Sequence, residues 1–335
     1  MSLLSINQKV PLYKESSGMK YTWAYEAWDT ANRMIWFIHE LKLHEDVQDY
    51  KKASNEEKKL ITDVFKLFTQ NEVMVSNGYD ILLRIFKPTE IKMMLRKFAD
   101  MENTHMAGYS LLIETLGFKD SIYSDFLEIP IMNTKIGYLE KAKVKKYEEY
   151  KNFGLTEVQL QQQYKKDIAC MLAVYSACTE GISLFAQFAM LLYFQKLGKY
   201  KGMCQLVEWS IKDEYLHMVY NAKLYNTFIE ENPDLLHTDL EHIILESVKE
   251  IVSYEITLID LFEPVHLDKE LLKDYVHYQA YKALELIKIK YDTNIKVNPL
   301  PFMDEVLMLT VTDFFSGTVT EYSKKTLQGD WNELL

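Results

Sequence analysis

Glu102-Asn103-Thr104-His105-Met106-Ala107-Gly108-Tyr109 and, more than a hundred residues later, Asp213-Glu214-Tyr215-Leu216-His217 are the two stretches on which the fold turns. In each, a Glu and a His stand three residues apart, and on an α-helix positions i and i+3 project from one face. A Glu and a His so placed share one metal ion, or the Glu bridges to a second. In four-helix carboxylate proteins two such pairs are completed by one Glu from each of the other two helices. The chain supplies both, since Glu72 precedes Glu102 by 30 residues and Glu180 precedes Glu214 by 34. Each interval fits one helix, a turn and part of an antiparallel successor. The pattern is a carboxylate helix followed by a Glu-x-x-His helix, used twice.

A single Glu-x-x-His means little, because about one is expected by chance in a chain of this composition. A third copy exists, Glu263-Pro264-Val265-His266, with Glu230 and Glu231 lying 33 and 32 residues upstream. Pro264 sits inside that copy and Glu231 runs into Asn232-Pro233, so neither partner has an uninterrupted helix beneath it. It is read as a decoy. At 102 and 214 the flanks are apolar and helical, and four acids with two histidines on inward faces are very costly without a charge to coordinate. Oxygen and nitrogen ligands without thiolate suit iron or manganese rather than a zinc–sulfur centre. Two cations balance four carboxylates. Oxygen activation and ferroxidase chemistry both remain open on ligand count alone. Tyr109 follows His105 by four residues and Glu102 by seven, on the same helical face, which puts its phenol beside the metals. With 23 tyrosines in the chain, packing is the ordinary reading of such a position, so the placement alone does not prove a role.

Outward from these motifs, the bulk composition agrees with long helices. Hydrophobic residues make up 48% of 335, enough for a globular core, while Gly and Pro number only 11 and 7. The expected class is one all-α domain. A formal charge of −11 argues against nucleic acid as a partner, since that affinity comes largely from Lys and Arg on phosphates. No basic-then-apolar N-terminal stretch resembles a signal peptide. The apolar run from Gly181 to Phe194 falls short of the about 20 residues that span a bilayer. Cys170, Cys178 and Cys204 have no zinc-like spacing and are odd in number. A cytoplasmic protein without membrane contact is expected.

Residues 1–30 read as an irregular N-terminal arm, with Gly18 and the aromatic run Tyr21 to Tyr25. Asn55 is the expected N-cap of a helix running through Glu72 toward Leu83, with Leu60, Ile61, Val64 and Phe65 on one face. Lys87-Pro88-Thr89-Glu90 breaks it and starts the next helix, to about Leu116. Residues 138–168, dense in Lys, Glu, Gln and Tyr, read as solvated helix and an excursion from the core. Core helices follow around 166–197 and 201–230, then a pair within 240–290 broken at Pro264. No linker divides the chain, so residues 1–320 form one domain and 321–335 a polar tail.

The segment Glu102 to Ser110 resembles the ligand helix of class I ribonucleotide reductase small subunits. So do Cys178-Thr-Glu180-Gly-Ile-Ser-Leu-Phe185-Ala-Gln-Phe188 and Ile211-Lys-Asp213-Glu214-Tyr-Leu-His217, and Tyr21 to Trp28 with Trp36 beyond is similar to the N-terminal part of one bacterial branch. The resemblance runs from about Tyr21 to Asn226, is thinner beyond, and is absent from the 138–168 insert.

That resemblance implies a ferritin-like four-helix bundle extended by further helices. It implies Glu72, Glu102, His105, Glu180, Glu214 and His217 as ligands of two transition-metal ions with an oxygen-derived bridge. The metals would be two irons, or a manganese–iron or dimanganese pair. Tyr109 would hold a stable radical, with Phe188 walling its pocket. Asp213 would join a ligand histidine to Trp36 as the inner end of a radical-transfer path, and Tyr322 would be the exit residue. The tail, with Trp331, Leu334 and Leu335, would dock on the large subunit. The partners implied are a second copy of the chain and that large subunit, which reduces ribonucleotides to the deoxyribonucleotides of DNA replication. Three positions depart from the family pattern: Glu72 stands where many relatives have Asp, and Leu184 and Ser210 replace larger apolar residues. A longer first carboxylate can accompany manganese-containing centres. The rival readings are another ferritin-like oxidase or hydroxylase acting on a small apolar substrate, an iron-storage protein, and a metal-free helical bundle.

Overall fold

A computed structural model describes residues 2–4, 19–125 and 141–307, with positions 130, 131, 134 and 137 between the last two spans. Tyr322, Trp331, Leu334 and Leu335 lie outside the described residues. Among the described residues there are helices and no β-strand.

Helix α1 spans Thr22–Arg33 and buries Ala24, Ala27 and Ala31. This corrects the expectation of an irregular arm through residue 30. The buried face is made of alanines, which let α1 lie close on its neighbours but give a weak apolar signal in the sequence. Helix α2, Asn55–Ile85, starts one residue after its cap. Ser54, not Asn55, is the N-cap, its hydroxyl accepting the Glu57 N–H at 3.2 Å. Helix α3, Thr89–Leu116, follows Pro88 and ends at Gly117, whose φ of 77° closes the last turn with Phe118 N–H donating to Ile113 O. A three-residue link between α2 and α3 leaves them antiparallel and packed along their lengths.

The polar 138–168 segment is only in part an excursion. Helix α4, Glu157–Met171, begins in it and carries the chain into the core, and Tyr150 is buried with its hydroxyl on Asp167 at 2.6 Å. Next comes the largest departure from the sequence reading. The helix expected over 166–197 is not continuous: Leu172–Thr179 is π-helical, Glu180–Ile182 forms a last turn, and Leu184 takes a left-handed φ of 73° before α5 begins at Phe185 and runs to Lys196. The wider winding shows in Thr179, whose hydroxyl bonds the carbonyl five residues back, Val174 O, at 3.2 Å. Helix α5 buries Phe185, Phe188, Leu191, Leu192 and Phe194, each worth about 1.5–3 kcal/mol out of water. Helix α6, Lys201–Glu231, follows as expected, then α7, Leu240–Phe262, and α8, Lys269–Leu286, on either side of Pro264. Helix α6 packs on the π-helical stretch and α5, and meets α3 across the bundle.

The π-helical stretch is seated on α2 through Gly78. A Cβ there would lie 2.0 Å from the Tyr175 ring, and the Tyr175 hydroxyl donates to Met74 O. Ala at 78 raises helix propensity by about 1 kcal/mol yet must displace that ring. Gly78→Ala is therefore expected to destabilise the metal-free protein by about 1–3 kcal/mol, read by urea unfolding. An unchanged or higher midpoint would refute this packing account.

Candidate metal centre

Helices α2, α3 and α6 and the turn after the π-helical stretch each point acids or imidazoles at one interior volume. Glu72, Glu102, Glu180 and Glu214 are at most 4% exposed, and His105 and His217 are fully buried. They form two overlapping groups, each with ligand atoms mutually within 4.8 Å. One is Glu72, Glu102, His105 and Glu214; the other is Glu102, Glu180, Glu214 and His217. Glu102 and Glu214, the two acids of the Glu-x-x-His motifs, belong to both. All six candidate ligands read from spacing are brought together.

The atoms are close but not hydrogen-bonded as a protein core demands. Glu102 Oε1 lies 2.9 Å from His217 Nδ1, and Glu214 Oε1 lies 3.1 Å from His105 Nδ1. Yet among the described residues Glu72 Oε1, Glu102 Oε1, Glu214 Oε1 and both ring nitrogens of His217 have no aligned hydrogen-bond partner. Buried polar atoms orphaned in this way cost about 1–3 kcal/mol each, more when charged. Cations placed among them remove that cost, so the residues fit a dinuclear metal site.

Electrostatics point the same way. Burial first, then Glu214 and Glu102, drives the Glu72 carboxyl well above the usual carboxylate range. Burial and then Glu214 push Glu180 up to about 8. Burial opposes charge on both histidines, but the carboxylates overcome it: Asp213, Glu102 and Glu214 raise His105, while Glu102, Glu180 and Glu214 raise His217. Burial thus favours protonation of Glu72 and Glu180 while the histidines are pulled toward the charged form, so loading with cations is expected to release protons.

His105 has a fixed orientation. Its Nε2 lies 3.0 Å from Asp213 Oδ2, and that same oxygen accepts the Trp36 indole N–H at 2.9 Å. With Nε2–H given to Asp213, Nδ1 is left to face the cluster. The Trp36 ring stacks on His105, 6.0 Å between centroids and 15° between planes. It also borders a cavity of about 370 Å³ lined by Met34, Ile35, Phe37 and Asp213. Gly108 lets α6 come close here, because a Cβ would stand 2.7 Å from the Leu206 side chain, whereas Trp36 at 3.5 Å would be in ordinary contact.

Tyr109 is fully buried, and among the described residues its hydroxyl makes no well-aligned hydrogen bond, with the Ser210 side chain the polar group beside it. Burial, then the Glu72 charge, drives its phenol well above the ordinary range. Ser210, on α6, donates its own hydroxyl to Leu206 O at 3.1 Å, which leaves its oxygen as the acceptor facing Tyr109 and partly offsets the upward shift. Phe65 and Phe68 flank the Tyr109 ring at 5.8 and 5.2 Å. Phe188 meets Phe68 at 5.0 Å and so backs the pocket through that ring. Neither Phe65 nor Phe68 was singled out as a pocket residue from the sequence; their i, i+3 spacing on α2 was the available signal.

The third Glu-x-x-His lies away from the cluster. His266 Nε2 sits 3.0 Å from Glu57 Oε1, which also takes Lys199 at 2.8 Å, and the Glu263 side chain is 67% exposed. Glu231 instead binds the N-terminal segment, accepting Leu3 N–H at 2.9 Å and the Tyr21 hydroxyl at 2.6 Å.

Comparison with known proteins agrees with this geometry. The family model described as ribonucleotide reductase, small chain, matches residues 15–299. The chain is 33% identical, over 92% of its length and 94% of the relative's, to a protein of Invertebrate iridescent virus 6 named probable ribonucleoside-diphosphate reductase small subunit. Its fold is similar to the ribonucleotide reductase R2 subunit from Clostridium botulinum, with a TM-score of 0.75 at 19% identity, covering 88% of this chain and 91% of that one. It is also similar to the Rnr4 homodimer of Saccharomyces cerevisiae, with a TM-score of 0.70 at 17% identity over 96% and 92%.

Proposed function

The chain belongs to the ribonucleotide reductase small-chain family, and from that premise we propose the part each buried residue plays in making and exporting a radical. The small subunit generates a radical and passes it to the large subunit, where ribonucleotides are reduced. The rival of a separate hydroxylase acting on its own substrate is not favoured.

In this reading Glu72 and His105 would hold one metal ion and Glu180 and His217 the other, with Glu102 and Glu214 available to both. The overlap of the two ligand groups carries the assignment. When bound, the metal pair supplies oxidising equivalents drawn from dioxygen. Tyr109 would give up one electron to the oxidised metal pair and its hydroxyl proton toward the Glu72 carboxylate, whose charge acts on the phenol. The resulting radical is sheltered because Phe65, Phe68 and burial keep water and reductants away. His105, Asp213 and Trp36 form a continuous contact from the cluster to the cavity beside Trp36. Asp213 orients the imidazole and takes the indole N–H, keeping both rings fixed for charge transfer. Tyr322 would continue the path, and the 321–335 tail would dock on the large subunit. The metals are proposed to be two irons, with manganese in one or both positions as the alternative that Glu72 makes worth testing. The working form is proposed to be a cytoplasmic homodimer joined to the large subunit.

Low-temperature electron paramagnetic resonance of metal-loaded, oxygen-exposed protein, with elemental analysis, tests this. About two metals per chain and a tyrosyl signal absent from Tyr109→Phe are expected. A coupled metal signal without a tyrosyl radical would move the stored oxidant from Tyr109 to the metals. No bound transition metal under any loading condition would overturn the reading.

A further inference from the structure

We propose that Tyr79 is a positioning residue for the half of the metal centre served by Glu180 and His217; the proposal rests on the metal-site reading above. Tyr79 stands seven residues after Glu72 on α2, two turns along the same face. Its hydroxyl donates to Glu180 Oε1 at 2.8 Å and accepts the Asn221 amide N–H at 3.1 Å. The ring is 2% exposed and meets Phe98 and His217 edge-on at 6.2 and 6.0 Å. One tyrosine oxygen thus ties α2 to the Glu180 turn and, through Asn221, to α6.

Glu180 needs such a tie more than the other five ligands. Glu72, Glu102, His105, Glu214 and His217 sit inside regular helices of 28 to 31 residues. Glu180 follows an eight-residue π-helical stretch and precedes the break at Leu184 by four residues. Its backbone therefore lacks a rigid helix on either side. With Oε1 engaged by Tyr79, Oε2 is the oxygen left for the cluster, 3.8 Å from His217 Nδ1. Removing the hydroxyl frees the carboxylate to rotate or chelate, and the geometry of that metal position goes with it. A hydrogen bond from outside the ligand set to a ligand carboxylate typically governs metal affinity by 10–100-fold. Simple packing of a buried tyrosine is the competing account, and it predicts no difference between the two metal positions.

Metal-free full-length protein titrated with Mn(II), with free ion followed by electron paramagnetic resonance, separates them. Wild-type protein should take up about two ions per chain and show an exchange-coupled pair. Tyr79→Phe should bind one ion as the wild type does and the other about 10–100-fold more weakly, losing the coupled signal at stoichiometric loading. Asn221→Ala, which leaves the ring in place and frees the hydroxyl, should weaken the same position by less. Thermal unfolding of the metal-free variants checks the fold. Two unchanged affinities in Tyr79→Phe would overturn the proposal, as would an equal loss at both positions. Should Tyr79→Phe fail to fold, Asn221→Ala with both affinities unchanged overturns it instead. Failure of the wild type to bind two ions would overturn the metal-site reading itself, a distinct result.

Discussion

Glu102→Gln protein should lose both metal ions, not one. Glu102 is shared by the two ligand groups, one oxygen near His105 and the other near His217. The amide keeps the side chain's volume, so no cavity is opened, but it removes the charge and one of the two oxygens that a bridge requires. Each position is then left short of its shared ligand while Glu214 alone cannot hold the pair together. Elemental analysis after loading and desalting should fall from about two metals per chain to near zero. Glu72→Gln is the contrast: it serves a single group and should cost one metal only. Two ions retained in Glu102→Gln would refute the bridging assignment.

The six candidate ligands could be picked out together because their pattern depends only on helical period. A Glu and a His three apart share a face whatever surrounds them, and the spacing of about thirty residues follows from helix length. What was not legible depends on contacts between helices. Phe65 and Phe68 read as an ordinary apolar face, and nothing in the spacing shows that Tyr109 rests against them. Tyr79 and Asn221 are 142 residues apart in sequence and meet only in the fold. The π-helical stretch was missed because Leu172 to Thr179 contains no Gly or Pro to mark a break, and Leu184 adopts a left-handed backbone normally signalled by glycine. The first helix was missed because alanines make its buried face. The Pro264 decoy was legible for the opposite reason, since a proline inside a motif rules out the helix the motif needs.

Asp213→Ala is expected to uncouple storage of the radical from its use. The variant should still form the Tyr109 radical once loaded, yet reductase activity with the large subunit should drop by about 10²-fold or more, because both rings lose the oxygen that holds them in register. One atom, Asp213 Oδ2, joins the two contacts at 2.9 and 3.0 Å, so a single substitution removes both. Trp36→Phe, which leaves the Asp213–His105 contact intact, should give a loss of similar size with metal content unchanged. The double variant should be no worse than either alone, since the three groups act as one chain. Turnover within a few-fold of wild type in either single variant, at equal radical content, would remove this path from the mechanism.

The sealing of the metal cluster has a consequence for how such a half-enzyme works. A centre whose six candidate ligands are all buried does not need to recognise a nucleotide, release a product or reshape itself between turnovers. On the proposed path its traffic through the protein would be charge, carried along fixed aromatic and carboxylate contacts, with the interior acting as wiring. Selectivity among nucleotides belongs elsewhere. The demand on this chain is insulation, and every cavity-forming substitution near Tyr109 is then expected to act as a short circuit, shortening the radical's lifetime while leaving the fold in place.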